Sequence, residues 1–256
     1  MNKLLGSTLA ASILMLGASS ALAADLIREA RTVDARVTRV KLDGVVDLVV
    51  RQGAKPSLMI AGEREAVARV TTRQHGETLE IDTERRSNTT RGRNEPRLRA
   101  ELTVPNLAEF VSGGVGASTV SGFGGERIVL ALDGAGTVTL SGQYRNVDAR
   151  LGGVGSMKID AGRAERMDLA LRGAGQLAVS GQTKTLRATL AGVGNLDAEK
   201  LRADVVDLDM SGLGGATVYA SSAANLNLSG MGSATVYGKP AQRKATTEGM
   251  GKVSWR

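Results

Sequence analysis

Cysteine is absent from the 256-residue sequence, and histidine occurs only once. Without cysteine the chain can form no disulfide, carries no lipobox for a lipid anchor and has no thiolate nucleophile. One histidine and no cysteine also exclude the usual zinc sites. A serine–histidine–aspartate triad would have to use His75, which precedes a glycine in a predicted turn. The sequence therefore predicts a protein that is not an enzyme and holds no metal or cofactor.

Long hydrophobic runs are missing except at the N-terminus. There Lys3 precedes an apolar run from Leu4 to Leu16, and small residues continue to Ala23. The run is shorter than the ~20 residues that span a bilayer, and the small residues fit a cleavage site. We therefore expect residues 1–23 to be a cleaved signal peptide. The mature chain is expected to be periplasmic or secreted, without a transmembrane span and not a lipoprotein.

The formal net charge is +7, and its densest basic part is the stretch from Glu84 to Arg99. Apolar residues are almost absent there, which predicts a long solvated loop, either an insertion without function or a contact for a polyanion. Because an exported protein rarely meets nucleic acid, an envelope polysaccharide or another envelope polyanion is the expected partner. The arginines of this candidate contact are Arg85, Arg86, Arg91, Arg93, Arg97 and Arg99.

Proline and aromatic residues are scarce, whereas glycine is abundant, with 33 residues against 4 prolines. Sixteen of the glycines form eight Gly-x-Gly triplets, whose first glycines follow one another at steps of 20, 19, 20, 19, 20, 18 and 19 residues. A fixed period of this length indicates a repeat architecture. The triplet glycines are Gly114 and Gly116, Gly134 and Gly136, Gly153 and Gly155, Gly173 and Gly175, Gly192 and Gly194, Gly212 and Gly214, Gly230 and Gly232, and Gly249 and Gly251.

Apolar residues alternate on both sides of each triplet, for example Ile128, Leu130 and Leu132 before one and Val138 and Leu140 after it. Each repeat is therefore predicted to be two short half-buried strands joined at a glycine corner. Stacked repeats of about 19–20 residues predict an all-β fold, a right-handed parallel β-helix (β-solenoid), with a rod of roughly 34 Å. We expect residues 24–107 to supply N-terminal strands, the arginine-rich loop and the first rungs or cap, and residues 108–256 the repeat solenoid.

The middle residue of each triplet is apolar, and we expect it to point inward at the bend. A further glycine follows many triplets and predicts a second corner of the coil; these are Gly122, Gly142, Gly162, Gly181 and Gly238. The triplets run into strands rather than a helix and lack the aspartate of calcium-binding glycine repeats. They predict neither a nucleotide site nor a calcium site.

The N-terminal part has a weaker pattern. The segment from Asp25 to Asp34 is polar and is expected to fray before the first strand. Strands are predicted from Val37 onward, and a short helix is predicted between Glu63 and Thr71, where apolar residues recur at helical spacing.

Two surface features have functional interpretations. Tyr219 and Tyr237 lie five residues beyond their triplets on adjacent rungs, where they either form a small glycan-binding platform or shield strand edges. Polysaccharide lyases and hydrolases align charged side chains on neighbouring rungs. The residues just before the triplets, such as Asp133, Arg172 and Ser211, form a mixed row instead. Trp255 is expected at an inward position that closes the last rung.

The sequence resembles the bacterial exported family described as "putative auto-transporter adhesin, head GIN domain" (DUF2807). The resemblance rests on the opening from Val40 to Gly53, on Leu102 to Leu107, on the triplets and on Ala234 to Pro240. It implies a right-handed parallel β-helix and transfers no catalytic residue. The family's middle triplet residue is often small and polar, whereas here it is apolar throughout.

Three functional hypotheses follow. The first is a non-enzymatic envelope protein that binds, adheres to or scaffolds an unidentified envelope or surface ligand, a polysaccharide or a protein. The second is a polysaccharide-degrading or polysaccharide-binding β-helix. The third is a self-assembly module, because a solenoid exposes unpaired strand edges at both ends, through which copies could form a homo-oligomer.

Overall fold

The structure is a computed structural model that describes residues 26–83 and 98–256. The predicted signal peptide and residues 84–97 of the arginine-rich segment lie outside these ranges. The N-terminal strands are β1 (Leu26–Arg31), β2 (Arg39–Leu42), β3 (Asp47–Gln52), β4 (Ser57–Glu63), β5 (Val70–His75), β6 (Thr78–Thr83), β7 (Arg99–Val104) and β8 (Glu109–Ser112). A short helix, α1 (Arg64–Ala68), separates β4 from β5, as predicted.

The repeats form long strands that stack in parallel. They are β9 (Val115–Leu132), β10 (Ala135–Leu151), β11 (Val154–Leu171), β12 (Ala174–Leu190), β13 (Val193–Met210) and β14 (Leu213–Leu228). The last rungs consist of β15 (Ser233–Tyr237), β16 (Gln242–Thr247) and β17 (Lys252–Trp255). Equivalent residues pair in register, so that Ala135 aligns with Val115 on one side and Val154 on the other. The predicted all-β parallel solenoid is confirmed.

Each rung is one long strand with a bend rather than two separate strands. The bend lies at the second glycine corner, where the pairing register shifts, for example between Ser141 and Gly142. Gly122, Gly162, Gly181 and Gly238 adopt positive φ there, which side chains rarely tolerate. The second corner is therefore confirmed, and the two predicted strands of a repeat are the two halves of one rung.

The core runs along the whole rod. Side chains alternate between inside and outside, and the predicted inward residues Ile128, Leu130 and Leu132 are fully buried. Val138 and Leu140 bury the other half of the rung in the same way. Because every rung adds equivalent aliphatic side chains, the core is a set of stacked apolar layers.

The N-terminal strands extend this stack. β8 and β3 pair in parallel with β9, and β2 pairs in parallel with β6 and β8. β5 and β6 form an antiparallel hairpin around Gly76, whose φ is 59°. None of the helices in the described ranges has the length and hydrophobicity of a membrane span.

The prediction that the segment from Asp25 to Asp34 frays was wrong for Leu26–Arg31, since these residues form β1 and pair antiparallel with β4 along the whole length of β1. Ile27 packs against the core, and the Arg31 guanidinium donates to the Val70 carbonyl oxygen and to the Thr72 hydroxyl. The segment is ordered because β4 offers it an open edge, although its own residues are mostly polar.

The C-terminal end closes the core with polar side chains. The inward column that holds Leu208 and Leu226 ends at Ala245, and its neighbours end at Arg243 and Thr247, all exposed. The Arg243 guanidinium lies 5.4 Å from the centre of the Trp255 ring, and its Nε donates to the Pro240 carbonyl oxygen at 2.9 Å. Trp255 packs against the core, as predicted. This end resembles a capping repeat more than a surface for adding further rungs.

The triplet glycines are required by the distance between rungs. A Cβ at Gly173 would lie 1.9 Å from the Gly153 carbonyl oxygen of the rung before it, and one at Gly175 would lie 1.9 Å from that of Gly155. These contacts involve backbone that is fixed by the parallel pairing, so neither side can move away. Glycine is therefore needed at the corner whatever its φ.

The expectation that the middle residues point inward was wrong. Val115, Val154 and Val193 are 50%, 62% and 57% exposed. The alternation of inside and outside continues through the triplet. The two glycines occupy inward positions, and the residue between them occupies an outward position. The inside of the corner holds only glycine backbone.

Replacing Gly173 by valine should lower the free energy of unfolding by about 3 kcal/mol or more, because the new side chain forces two rungs apart. The matched control is Arg172→Ala at the neighbouring exposed position, which should change it by less than about 0.5 kcal/mol. Urea unfolding of both variants measures the difference. Equal stabilities would contradict the role of the corner.

A buried tyrosine joins the array to the segment before it. Tyr144 is 2% exposed, and its hydroxyl donates to the Leu107 carbonyl oxygen at 2.7 Å. Burial raises the pKa of Tyr144 above its ordinary value. The folded state therefore keeps this proton at alkaline pH, where the unfolded chain releases it.

Below about pH 10, Tyr144→Phe should lower the free energy of unfolding by about 1 kcal/mol, because the Leu107 carbonyl loses its donor. Above that pH the unfolded wild type releases the Tyr144 proton while the folded wild type keeps it. The free energy of unfolding of the wild type therefore falls by up to about 1.4 kcal/mol per pH unit because of this group, and that of Tyr144→Phe does not. The difference between the two proteins should shrink or reverse between neutral and strongly alkaline pH. A constant difference across the series would be the contrary result.

Candidate functional site

Charged side chains on the walls of the solenoid pair with one another, mostly between rungs. Arg127 Nε lies 2.6 Å from Asp148 Oδ2, and Lys184 Nζ lies 3.0 Å from Glu165 Oε1. The hydrogen bond from Lys184, helped by the charge of Arg145, lowers the pKa of Glu165. Because these pairs are exposed, each stabilises the fold only slightly. Their main effect is that much of the wall charge is neutralised locally.

An open concavity of about 420 Å³ lies on the wall formed by the second halves of the rungs. Four carboxylates line it, those of Asp148, Asp168, Asp207 and Asp209. The first three occupy one column of the stack, in which Arg187 stands between Asp168 and Asp207. Sequence reasoning missed this column because it examined only the residues directly before the triplets. Aligning the repeats five residues upstream of each triplet would have exposed it.

Three of the four carboxylates of this concavity are engaged in ion pairs. Asp168 Oδ2 lies 2.7 Å from Arg166 Nε, and Asp207 accepts a hydrogen bond from Asn225 at 2.9 Å with Arg187 at 3.7 Å. Within residues 26–83 and 98–256, no three histidine, aspartate or glutamate side chains are placed to hold a metal ion. Most of the negative charge of the concavity is therefore neutralised by arginines of the same wall.

The residues directly before the triplets form a mixed row in the structure too. Asp133 Oδ2 lies 3.1 Å from Arg150 Nη2 on the next rung, and Arg172 is exposed two rungs beyond Asp133. Neutral Ser211 follows in the same row.

Most of the predicted polyanion contact cannot be placed. Arg85, Arg86, Arg91, Arg93 and Arg97 lie outside the described residues. Arg99 begins β7, where its exposed Nε lies 3.4 Å from Glu101 Oε1. Asp47 of β3 is the residue paired with Arg99. The described residues on either side of the segment, Thr83 at the end of β6 and Leu98 before β7, both lie in the N-terminal part of the rod.

Tyr219 and Tyr237 pair in register on adjacent rungs, and both are half-buried. The Arg202 guanidinium lies 4.1 Å from the centre of the Tyr219 ring, on the rung before it. A Cβ at Gly238 would lie 2.9 Å from Cζ of Tyr219, so the ring leans over this glycine. Arg202 was missed because β13 carries three extra residues before it, which hides the alignment with Tyr219.

The middle residues of the triplets form the most distinctive surface feature. We call them the apolar column. Its larger members are 40–79% exposed, and its members lie on successive rungs. Sequence reasoning placed these side chains inside, although their parity with the inward residues already indicated the outside. The column consists of the eight middle residues Val115, Ala135, Val154, Ala174, Val193, Leu213, Met231 and Met250, and of Val45, which lies outside the triplets but forms a parallel bridge with Val115.

Comparison with known families gives one match that covers most of the chain. The family described as "Putative auto-transporter adhesin, head GIN domain" (DUF2807) matches residues 36–240. The chain belongs to this family. Its matched region includes the N-terminal strands from β2 onward and all but the last triplet, so the resemblance predicted from the opening segment and the triplets is confirmed.

Solved structures show the same fold. A "putative adhesin" of Parabacteroides distasonis is 17% identical, with 91% of this chain and 98% of that chain covered and a TM-score of 0.78. A "putative adhesin" of Bacteroides fragilis is 21% identical, with 90% and 97% covered and a TM-score of 0.65. A "putative lipid binding protein" of P. distasonis is 20% identical, with 90% and 96% covered and a TM-score of 0.71. No curated protein matches the chain.

The family description supports a binding role for this GIN-domain chain, and the structural relatives are described as binding proteins as well. These identities are low, so the likeness shows the fold and leaves the ligand open.

Proposed function

We propose that this GIN-domain chain is an exported, non-enzymatic binding module of the bacterial envelope. Its ligand is an anionic envelope glycan or glycolipid, which it contacts through the arginine-rich segment. Residues 24–107 supply the cap, the first rungs and this segment, and residues 108–256 form the rod that supports them. The observation that carries the proposal is the uneven distribution of positive charge.

The arginine-rich segment, residues 84–99, contains six arginines and two glutamates, so its formal charge is 6 − 2 = +4 out of +7 for the whole chain. On the walls, by contrast, Arg127, Arg166 and Lys184 pair with carboxylates. The long-range positive field of the protein therefore comes mainly from one short segment. Arginine clusters of this kind suit phosphate and carboxylate groups, which they bind through two parallel hydrogen bonds.

Tyr219 and Tyr237 are a second contact in this proposal. Their half-exposed rings with the neighbouring Arg202 combine an apolar surface with a positive charge, which suits a sugar that carries an acidic group. This site is near the C-terminal end of the rod, far from β7 along the stack, so a long polymer rather than a short ligand would reach both.

The description of one structural relative as a lipid binding protein is compatible with this chemistry. Lipopolysaccharide carries phosphate and carboxylate groups on a glycolipid, whereas an acidic polysaccharide carries them without lipid. Both probes are needed to separate these two sources of the same anionic groups.

Replacing the six arginines of the segment by serine should weaken binding to immobilised lipopolysaccharide by at least about tenfold and reduce its dependence on salt. The charge-preserving control, with lysine at the same six positions, should retain most of the binding. Surface plasmon resonance at two salt concentrations measures both variants. Unchanged binding by the serine variant would remove the segment from the proposal.

The double variant Tyr219→Ala/Tyr237→Ala should weaken binding to a long acidic polysaccharide such as alginate by a few fold, and less for short oligomers of the same sugar. The matched control is Thr217→Ala, which lies two residues before Tyr219 on the same face of β14. An equal loss for long and short chains would show that the two sites do not act on one polymer.

Polysaccharide degradation is the second candidate, favoured by the carboxylates that line the open concavity. Glycoside hydrolysis needs two carboxyl groups that can reach the glycosidic bond. Asp148 and Asp168 instead lie against arginines at 2.6 and 2.7 Å, so both carboxylates are held in ion pairs. Incubation with polygalacturonate and alginate should therefore release no reducing or unsaturated ends. Turnover of either polysaccharide by the wild type that is lost in Asp168→Asn would favour degradation over binding as the function.

A further inference from the structure

The apolar column is a continuous uncharged line along one edge of the rod. Its central members alternate in size, from Val115 through Ala135, Val154 and Ala174 to Val193. All five are exposed and pair in register on successive rungs. Among the described residues, every exposed large apolar side chain other than Leu26 and Met59 of the N-terminal strands belongs to this column.

The glycines require nothing of the residue between them except that it point outward. A threonine or serine would satisfy the strand there as well as valine, since β-branched or small residues of either polarity suit strands. Nine uninterrupted apolar residues at exposed positions are therefore not explained by the fold. Such exposed apolar surfaces in soluble proteins mark contacts with a partner.

We propose that the apolar column is the contact between two copies of this chain, which lie antiparallel, edge against edge. The two-fold axis falls between the rungs of Val154 and Ala174. Val154 then faces Ala174 of the second copy, and Val193 faces Ala135 of the second copy. Along the four central rungs each valine then meets an alanine, as in interdigitated cores, whereas a parallel arrangement would place valine on valine. Toward the ends of the contact, Val115 faces Leu213 of the second copy.

The flanking charges agree with this arrangement. In the row directly before the triplets, Asp133 and Arg172 are the charged residues of the central rungs, two rungs apart and of opposite sign. An antiparallel two-fold axis between Val154 and Ala174 brings Asp133 within one rung, about 5 Å, of Arg172 of the second copy. The two-fold symmetry produces this proximity of Asp133 and Arg172 twice in the dimer. Like charges do not meet along the row.

The size of the contact fits a weak dimer. The eight rungs from Val45 to Met231 give a length of about 34 Å, and five residues across the corner give a width of about 16 Å. Each copy would then bury about 550 Å², a total of about 1,100 Å², at the lower limit of specific interfaces. We therefore expect a dimer that forms and dissociates with concentration.

The ends of the rod are less suited to self-assembly. At the C-terminal end the inward positions of β16 carry Arg243 and Thr247, which would bring polar groups into an extended core. The proposed dimer does not depend on the proposed ligand.

Sedimentation velocity over a wide concentration series tests the proposal on the protein expressed from its full-length sequence. The wild type should pass from monomer to dimer and no further. Val154→Lys should weaken the dimer by at least about tenfold, because it buries a charge at the centre of the contact. Thr189→Lys, which adds the same charge to an exposed wall position, should leave it unchanged.

Ala174→Val is the decisive variant. It makes the edge more apolar and suits the strand, so the rod should remain folded, yet it fills the space that receives Val154 of the second copy. Its dimer should be about tenfold weaker than that of the wild type. Equal or tighter association of Ala174→Val would overturn the interdigitated contact.

A wild type that stays monomeric throughout the series would overturn the proposal as a whole. The alternative occupant is a lipid surface, which does not require small side chains between large ones. Co-sedimentation with vesicles of phosphatidylethanolamine and phosphatidylglycerol separates the two. Vesicle binding that is stronger in Ala174→Val, lost in Val154→Lys and accompanied by monomers in solution would assign the column to lipid.

Discussion

The rung spacing at the corners is the constraint on which the rest of this structure depends. Parallel strands stack at about 4.8 Å, and at a corner the Cα–Cβ direction of two residues per rung runs along the stack. Cβ atoms at Gly173 and Gly192 would come within 1.9 and 2.0 Å of a carbonyl oxygen on the preceding rung. Only glycine lets the backbone of one corner rest on the next. The same backbone is hydrogen-bonded between rungs, as between the Ala174 amide and the Gly153 carbonyl oxygen at 3.0 Å.

This constraint separates the surfaces that can take a functional role. The inside of the corner is filled by glycine backbone, so the residue between the glycines can only face solvent, and there it is free to vary without changing the fold. The walls must keep an alternating pattern, and their outward charges pair along the stack, as Arg127 does with Asp148. The surfaces proposed here for binding are accordingly the corner edge, the arginine-rich segment between β6 and β7, and the tyrosines near the C-terminal end of the rod.

The period of 18 to 20 residues and the alternation around each triplet were enough to predict a parallel solenoid, its second corner and the inward positions of the walls. The middle residues of the triplets were wrongly placed inside, although the same alternation puts them outside. Local pattern failed where an interaction partner is distant in sequence. β1 is ordered by β4, about 30 residues away, and only Ile27 in it packs on the core. The position of Arg202 over Tyr219 depends on three extra residues in β13, which no fixed period reveals. The column of Asp148 and Asp168 follows the same repeat, but it lies on the wall, away from the glycine corners on which the prediction was based.

Amide hydrogen exchange at the middle residues of the triplets tests the central claim most directly. Their side chains are exposed, but the amides of Ala135, Val154 and Val193 donate to the first glycine of the preceding rung at 2.9, 2.9 and 3.0 Å. If the glycine corners hold the rungs together, these amides should exchange as slowly as those of the buried wall residues Leu140 and Ile159. Exchange at the rate of an open loop, with the walls still protected, would show that the corners are merely connections between walls and would contradict this account.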